Sequence, residues 1–230
     1  MPGRERVLTT AAAQAYYDRF GKKQDSQGFY EDAALDEMIA QASFQDATRV
    51  FEFGCGTGKL AVRLLAEHLP PSASYFGCDV SPVMSGLAKH RLEAYGERAQ
   101  TAIADGAVHF PIPDHSVDRV VSSYVLDLLA EADIRRFFAE AHRVLIPRGK
   151  VCLASLTRGV DFPSRFVSSV WMAVFRLRPA IVGGCRPIRL DTFVDAQAWQ
   201  VVYQGIVTPA GVPSEVLVLE TKDTPTGTSL

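Results

Sequence analysis

The sequence predicts an α/β fold whose doubly wound, mostly parallel sheet has seven strands and ends in an antiparallel hairpin. From residue 46 onward, short apolar runs alternate with segments whose apolar side chains recur every three or four residues. This alternation indicates parallel strands joined by helical crossovers. The last two runs are separated only by a Pro-Ala-Gly-Val-Pro turn, which predicts an antiparallel pair. The expected strands cover 49–53, 74–78, 101–104, 118–123, 150–155, 200–207 and 215–220.

Helical segments are expected before the first strand, between the strands and ahead of the closing hairpin. Ser81 and Pro82 form a typical helix start, with the serine as N-cap and the proline at the first helical position. The expected helices cover 9–20, 31–43, 59–67, 82–95, 131–145 and 191–199.

Composition excludes several classes of protein. The 230 residues carry a net charge of −2, which argues against a broad nucleic-acid surface. The four cysteines lack zinc-ligand spacing, so we expect reduced thiols and no metal. The N-terminus leads into no apolar core of signal-peptide length, and no apolar run approaches the ~20 residues of a membrane span. These features predict a cytoplasmic protein.

The first strand runs into a glycine-rich turn that is the strongest candidate for a ligand site. Glycines at positions 54, 56 and 58 permit positive φ and close approach of a ligand, and exposed amides there can donate to it. A dinucleotide motif requires glycine at Lys59. Glu52, two residues before Gly54, repels a pyrophosphate but suits a ligand that carries an ammonium and a sulfonium. The turn therefore fits NAD poorly and S-adenosylmethionine well.

Polar side chains also follow the next three strands. Asp79 ends the second strand about 20 residues after the glycines, where a carboxylate can accept the hydrogen bonds of a ribose diol. Asp105 ends the third strand and is expected to meet an adenine amino group. Ser122 and Tyr124 end the fourth strand. All of them are expected at the same edge of the sheet.

Four stretches in order, FEFGCGTGKLA, GCDVSPVM, IADGAVHFPIPDHSVDRVVSSYVLDLL and AHRVLIPRGKVCLASL, resemble the class I S-adenosylmethionine-dependent methyltransferases. The similarity is greatest to the small-molecule branch that includes the ubiquinone and menaquinone C-methyltransferases. It covers residues 16–156 and returns in the closing hairpin. The resemblance implies a Rossmann-like fold, S-adenosyl-L-methionine as cofactor and methyl transfer as the activity.

The resemblance also implies roles for individual residues. Glu52, Gly54 and Gly56 would flank the methionine moiety, Asp79 the ribose, and Val80 and Met84 the adenine. Tyr17 and Phe20 belong to an aromatic segment that resembles the lid of this branch. The residues expected to bind the cofactor are Tyr17, Glu52, Gly54, Gly56, Thr57, Gly58, Asp79, Val80, Met84, Asp105, Gly106, Ser122 and Tyr124. Many relatives carry a histidine after strand four, where this chain has Asp127, so no catalytic residue is assigned.

The segment 158–190 falls where relatives place acceptor-binding elements. Its aromatic and apolar side chains recur at helical spacing, and it carries six arginines but only one acid. We expect an apolar or aromatic small-molecule acceptor, bound by Phe20, Tyr124, Phe166 and Trp171. Contact of this segment with an anionic lipid surface stays open, as do a lipid-amine N-methyltransferase and a non-catalytic scaffold. The oligomeric state is not predicted.

The whole chain is expected to form one domain with five parts. These are an N-terminal helical lid (1–45), a cofactor-binding core (46–157), an acceptor-binding insertion (158–190), a closing helix and hairpin (191–221) and a tail (222–230).

Overall fold

The structure, a computed structural model, describes residues 7–21, 24–25 and 28–222. Seven strands form a single sheet in the order β3-β2-β1-β4-β5-β7-β6. The predicted fold class is confirmed, and the strand centres match the expected apolar runs. The strands are β1 (Arg49–Phe53), β2 (Ser74–Asp79), β3 (Ala99–Ile103), β4 (Val117–Ser123), β5 (Leu145–Leu156), β6 (Trp199–Val207) and β7 (Ser214–Thr221).

The strand order creates a natural binding crevice. β1 pairs in parallel with β2 on one side and with β4 on the other, so the chain reverses its direction of travel across the sheet at β1. Ligands of open α/β sheets bind beyond the carboxyl ends of the strands at such a point. β7 pairs antiparallel with both β5 and β6, which places the closing hairpin away from this crevice.

Six α-helices accompany the sheet in the described part of the chain. They are α1 (Thr10–Phe20), α2 (Gly28–Ala42), α3 (Lys59–Arg63), α4 (Pro82–Leu92), α5 (Glu131–Val144) and α6 (Phe162–Leu177). Ser81 caps α4 as predicted, since its hydroxyl accepts from the amide of Met84. α2 begins at Gly28 rather than at 31, and α3 continues as a single π-helical turn over Leu64–His68.

The predicted helix over 191–199 does not form. The structure has only a 3-10 turn over Leu190–Phe193, and β6 already begins at Trp199. The carboxylate of Asp195 accepts from the amide of Gln197, and its carbonyl accepts from the amide of Trp199. Such a local Asp turn competes with helix formation, so this segment becomes a tight turn into the strand.

The apolar core lies on both faces of the sheet. On one face, α2 and α3 cover the strands. On the other, Phe51, Phe53, Phe110 and Phe137 contact one another with ring centroids 4.8–5.7 Å apart. Burial of these large side chains holds β1 rigidly beneath the crevice.

Helix α6 turns polar side chains toward the protein. Ser164 and Ser168 are buried and accept from the amides of Val160 and Gly159. Phe162 and Phe166 point outward and are 84% and 66% exposed. The helical period of this segment was predicted correctly, but the phenylalanine face is the one that meets solvent.

No helix within residues 7–21, 24–25 and 28–222 combines the length and hydropathy that a bilayer crossing requires. Most of the predicted tail, 223–230, lies outside the described residues.

Candidate functional site

A cavity of about 220 Å³ opens at the carboxyl ends of β1, β2 and β4. Glu52 and the loop that follows β1 line it together with Asp79 at the end of β2 and Tyr124 beyond β4. Helices α1 and α2 contribute Tyr17 and Glu31. A cavity is therefore present at the crevice expected from the strand order. Its walls are the edge of the sheet and the N-terminal helices α1 and α2.

The loop after β1 uses its own amides to stay in shape. Gly54 and Cys55 both donate to the carbonyl of Cys78, at 2.8 and 3.0 Å, and Gly58 donates to the carbonyl of Cys55. Gly56 donates to Asp79 Oδ2 at 2.9 Å. These four N–H groups are engaged within the protein, so the expectation that they donate to a ligand is not met. The carboxylates of Glu52 and Asp79 line the cavity beside the loop instead, which suits a cationic ligand and not a pyrophosphate.

The loop glycines serve different purposes. Gly54 has φ 78°, and a Cβ there would lie 2.3 Å from Val125 Cγ2. A Cβ on Gly58 would lie 3.0 Å from the backbone of Ala88, so Gly58 allows close packing of α4. Gly56, with φ 51°, has no atom within 4 Å of such a Cβ although it lines the cavity. The space beside Gly56 is therefore open to the cavity and not filled by packed side chains. We call this space the cradle.

Glu52 is a carboxylic acid whose side chain is buried. It is buried at the end of β1, and Tyr75 donates to Glu52 Oε2 at 2.6 Å. Burial raises its pKa to about 7; the Tyr75 hydrogen bond opposes this shift and nearby Asp79 adds to it. A cation at the cavity wall would favour the ionised form of Glu52.

Asp79 is oriented by backbone amides. Its Oδ1 accepts from Ser81 at 2.8 Å, and its Oδ2 accepts from Gly56. Desolvation raises its pKa, against the lowering effect of those two amides. Each carboxylate oxygen can accept more than one hydrogen bond, and Asp79 faces the cavity. It can thus accept from a diol while it shapes the loop.

Thr57 ties the loop to the N-terminal region. Its hydroxyl donates to Asp25 Oδ1 at 2.7 Å and accepts from Arg91 at 2.9 Å. Arg91 also pairs with Asp25 at 2.5 Å. These contacts therefore link the loop, α4 and the segment before α2 at this side of the cavity.

Two tyrosines line the cavity from elements other than the glycine-rich loop: Tyr124 follows β4, and Tyr17 lies on α1. Tyr124, with φ 54°, donates from its hydroxyl to Ser214 at 2.9 Å and packs edge-on against Tyr30 at 5.7 Å. Tyr17 lies with its hydroxyl 3.8 Å from Cys185 Sγ. A positive φ in a bulky residue beside a cavity is a strained conformation typical of functional sites.

Several expected site residues line the cavity and several do not. Those that line it are Tyr17, Glu52, Gly54, Gly56, Thr57, Asp79, Val80, Met84, Gly106 and Tyr124. Asp105 is exposed, and its carboxylate accepts from the amide of Ala107 instead. Ser122 is buried and donates to the carbonyl of Phe53, while its neighbour Ser123 lines the cavity.

The expected acceptor residues are mostly elsewhere. Phe20 stacks on Tyr16 at 5.5 Å, and Phe166 faces outward. Trp171 donates to the carbonyl of Cys185 at 3.0 Å and borders a separate small crevice. Of the four expected acceptor residues, Tyr124 alone lines the main cavity.

Two acids near the site were not among the expected site residues. Glu31 lines the cavity from α2, and no motif marks it. Asp127 is fully buried; its Oδ2 accepts from Leu156, and its Oδ1 has no hydrogen-bond partner among the described residues. Burial raises the pKa of Asp127 to about 7. The sequence analysis noted Asp127 only for its place in the region of the family histidine and gave it no role.

Comparison with known proteins agrees with this geometry. Residues 50–149 match the family model described as a methyltransferase domain. The chain is 30% identical over 155 residues to the uncharacterized methyltransferase YrrT of Bacillus subtilis, covering 66% of this chain and 68% of that protein. It is also 29% identical over 159 residues to a malonyl-[acyl-carrier protein] O-methyltransferase of a Marinomonas species. That match covers 69% of this chain and only 55% of the relative, so the chain spans about half of its length.

Solved structures share the fold over most of the chain. The [4+2]-cyclase SpnF has a TM-score of 0.71 at 16% identity, covering 95% of this chain and 98% of SpnF. The N-methyltransferase NodS of Bradyrhizobium japonicum, in complex with S-adenosyl-L-homocysteine, has a TM-score of 0.62 at 16% identity over 84% of this chain and 88% of NodS.

The α/β fold and an acid-lined crevice at the end of β1 define a class I methyltransferase architecture. The chain belongs to the S-adenosylmethionine-dependent methyltransferases, and S-adenosylmethionine is its cofactor. The residues present fit this group, because the cradle beside Gly56 has room for it and the surrounding acceptors suit its positive charge.

Replacement of Gly56 tests the cradle. Gly56→Ala and Gly21→Ala place a methyl group at the same φ of 51° and in open space. Both should lower the free energy of unfolding by about 1–3 kcal/mol, because both force an L-residue to a positive φ. Only Gly56→Ala should weaken S-adenosylmethionine binding in calorimetry, by about tenfold. Equal affinities in the two variants would contradict the cradle.

Proposed function

We propose that this protein transfers a methyl group from S-adenosylmethionine to a small apolar or aromatic acceptor. The observation that supports this most is the mixed polar and apolar lining of one cavity. Glu52, Gly56 and Asp79 form an end rich in hydrogen-bond acceptors, whereas Leu35 and Leu128 belong to an apolar wall. The first suits a charged, polar donor and the second an apolar substrate.

In this proposal the donor is held by residues of the sheet edge. Glu52 and the loop carbonyls attract the ammonium and the sulfonium, and Asp79 accepts from the ribose hydroxyls. Val80 and Met84 line the cavity beside Asp79 and are proposed to contact the adenine. Asp105 has no part in the proposal, because its carboxylate caps its own turn.

The acceptor is proposed to lie against α1, α2 and the segment after β4. Tyr17 and Tyr124 line this part of the cavity, and both pKa values are raised by burial, so the phenols stay neutral. They can orient an acceptor by hydrogen bonding and ring contact without competing as nucleophiles.

The reaction requires little beyond alignment. The bound cofactor supplies an electrophilic methyl group with a good leaving group. The chain's residues hold the acceptor in line with it and exclude water, which is worth several kcal/mol in well-aligned reactions. Gly106 lets α1 pack closely on the loop after β3, because a Cβ there would lie 2.4 Å from Thr10 Cγ2.

The Asp79→Asn variant tests the donor assignment. The amide keeps one oxygen for the loop but loses the charge that strengthens hydrogen bonds from a diol. Calorimetry should show S-adenosylmethionine binding weakened by about 1–3 kcal/mol, while Asp114→Asn, an exposed acid outside the cavity, should bind like the native protein. Unchanged affinity of Asp79→Asn would remove the ribose assignment.

A panel of acceptors, assayed by the release of S-adenosylhomocysteine, tests the acceptor half of the proposal. Turnover only with RNA or highly charged metabolites would contradict the apolar acceptor.

We also propose that the outward face of α6 meets an anionic lipid surface and so gives access to lipid-borne acceptors. Phe162, Phe166 and Val170 follow one another at four-residue spacing and are all exposed. Arg165 lies exposed beside them. Among the described residues of 158–190 there are six arginines and a single acid. Apolar side chains flanked by arginines are typical of helices that lie in the membrane interface.

Vesicle sedimentation tests the lipid surface. The native protein should sediment with vesicles of phosphatidylcholine and phosphatidylserine, and less so as salt rises, because screening weakens the arginine contribution. The double variant Phe162→Ser/Phe166→Ser should bind at least about tenfold more weakly. Val201→Ser/Val202→Ser removes exposed apolar side chains from strand β6 and should bind as the native protein does. Absence of sedimentation by the native protein would refute the proposal.

A further inference from the structure

We infer that Glu31 is the group that takes the proton from the methyl acceptor, and that the acceptor is an N–H or O–H nucleophile on an apolar body. This inference rests on the proposed function, since it concerns the acceptor half of the same cavity. It adds a catalytic residue and a substrate class that neither the sequence motifs nor the relatives assign.

The position of Glu31 carries the argument. It lies on α2, outside all four family-like stretches, and yet lines the same cavity as Glu52 and Asp79. Tyr30, the preceding residue, packs edge-on against Tyr124 at 5.7 Å. α2 therefore brings a carboxylate next to the tyrosine that follows β4, on the side where the acceptor is proposed to lie.

Within residues 7–21, 24–25 and 28–222, Glu31 forms no ion pair, and its hydrogen bonds come from neutral groups. Gln24 Nε2 donates to Glu31 Oε1 at 3.4 Å, and Tyr30 forms a hydrogen bond with the same carboxyl group. By contrast, the neighbouring Asp32 pairs with Lys59 Nζ at 2.7 Å. A cavity-lining carboxylate whose partners are neutral can exchange a proton with a bound molecule.

The surroundings place the carboxyl group in a useful titration range. Desolvation raises the pKa of Glu31 to about 7. The hydrogen bond with Tyr30 and the charge of Lys59 lower this pKa, whereas Asp127 and Asp32 raise it. Titratable or charged groups on several elements interact electrostatically with Glu31. They are Tyr30 and Asp32 on α2, Lys59 on α3, Tyr124 and Asp127 after β4, and Cys185 after α6. A base with a pKa near the working pH is best suited to general base catalysis.

The charge of the cavity favours the same acceptor class. Among the described residues that line it, Lys59 is the one basic side chain, and it faces five acids, namely Asp25, Glu31, Glu52, Asp79 and Asp133. A carboxylate or phosphate nucleophile would meet like charges there. A neutral amine or hydroxyl would instead find an acid able to accept its proton.

The proposed step is balanced in atoms and electrons. The nitrogen or oxygen of the acceptor forms a bond to the methyl carbon as the carbon–sulfur bond breaks, and that electron pair stays on sulfur. The proton on the nitrogen or oxygen passes to the Glu31 carboxylate and then to solvent. No oxidant or metal is required.

Two donor analogues test the inference without a known acceptor. Sinefungin carries an amine where the donor has its sulfonium methyl group, and S-adenosylhomocysteine carries nothing there. In the native protein the preference for sinefungin should increase from pH 6 to pH 8 as Glu31 ionises. Glu31→Gln should lower that preference about tenfold at pH 8, the size of one charge-assisted hydrogen bond, and weaken its pH dependence, leaving the part that Glu52 contributes. Glu37→Gln makes the same change on α2 outside the cavity lining and should behave as native.

The outcomes separate this inference from the proposed function. Glu31→Gln with native preference and native pH dependence overturns the role of Glu31 alone. Failure of the native protein to bind S-adenosylhomocysteine overturns the donor site and, with it, the inference. With an acceptor from the panel, Glu31→Gln should lower kcat at least about tenfold while S-adenosylhomocysteine affinity stays unchanged.

Discussion

The cofactor end of this protein depends on one hydrogen-bonded arrangement: the carbonyl of Cys78 and the carboxylate of Asp79, at the end of β2, accept the amides of the loop that follows β1. Gly54, Cys55 and Gly56 therefore donate within the protein, and the carboxylates of Glu52 and Asp79 line the cavity beside them. Glycine-rich loops in α/β folds commonly offer amides to phosphates. Here these amides are already engaged within the protein, which argues against a pyrophosphate site and agrees with the proposed cationic donor.

The same arrangement explains why the acids near the loop tolerate burial. Glu52 is held by Tyr75, and Asp79 by two backbone amides. A buried carboxylate costs several kcal/mol unless it is hydrogen-bonded or paired with a cation. In Glu52 the hydrogen bond offsets only part of that cost, so its pKa stays raised. A bound cation would remove most of the remainder, which links the charge of the ligand to the ionisation of the protein.

Much of this could be predicted from the sequence. The strand–helix alternation predicted the sheet, and the spacing of Glu52, the glycines and Asp79 predicted that they meet at one cavity, because these features are local and periodic. Ser122 shows where such reasoning ends. Side chains alternate between the faces of a strand, so a shift of one residue decides that Ser123 and not Ser122 lines the cavity.

Contacts in the folded protein determine the features of the site that the sequence did not predict. Asp105 was expected to face the ligand, but the nearby amide of Ala107 takes its carboxylate, an interaction that competes locally with any ligand. The period of α6 predicted a helix, but not that its serines would satisfy buried amides and leave Phe166 in solvent. Glu31 belongs to no motif, and only the packing of α2 brings it to the cavity.

The most direct test of the central claim is the proton balance of donor binding. A raised pKa of about 7 means that Glu52 is partly protonated at pH 7, and a cation beside it lowers that pKa and releases the proton. Calorimetry of S-adenosylmethionine binding at pH 7, in two buffers of different ionisation enthalpy, should therefore show net proton release, with affinity rising from pH 6 to pH 8. Glu52→Gln should abolish most of both effects. Proton uptake, or an affinity that is independent of pH in the native protein, would contradict a donor site built on buried acids.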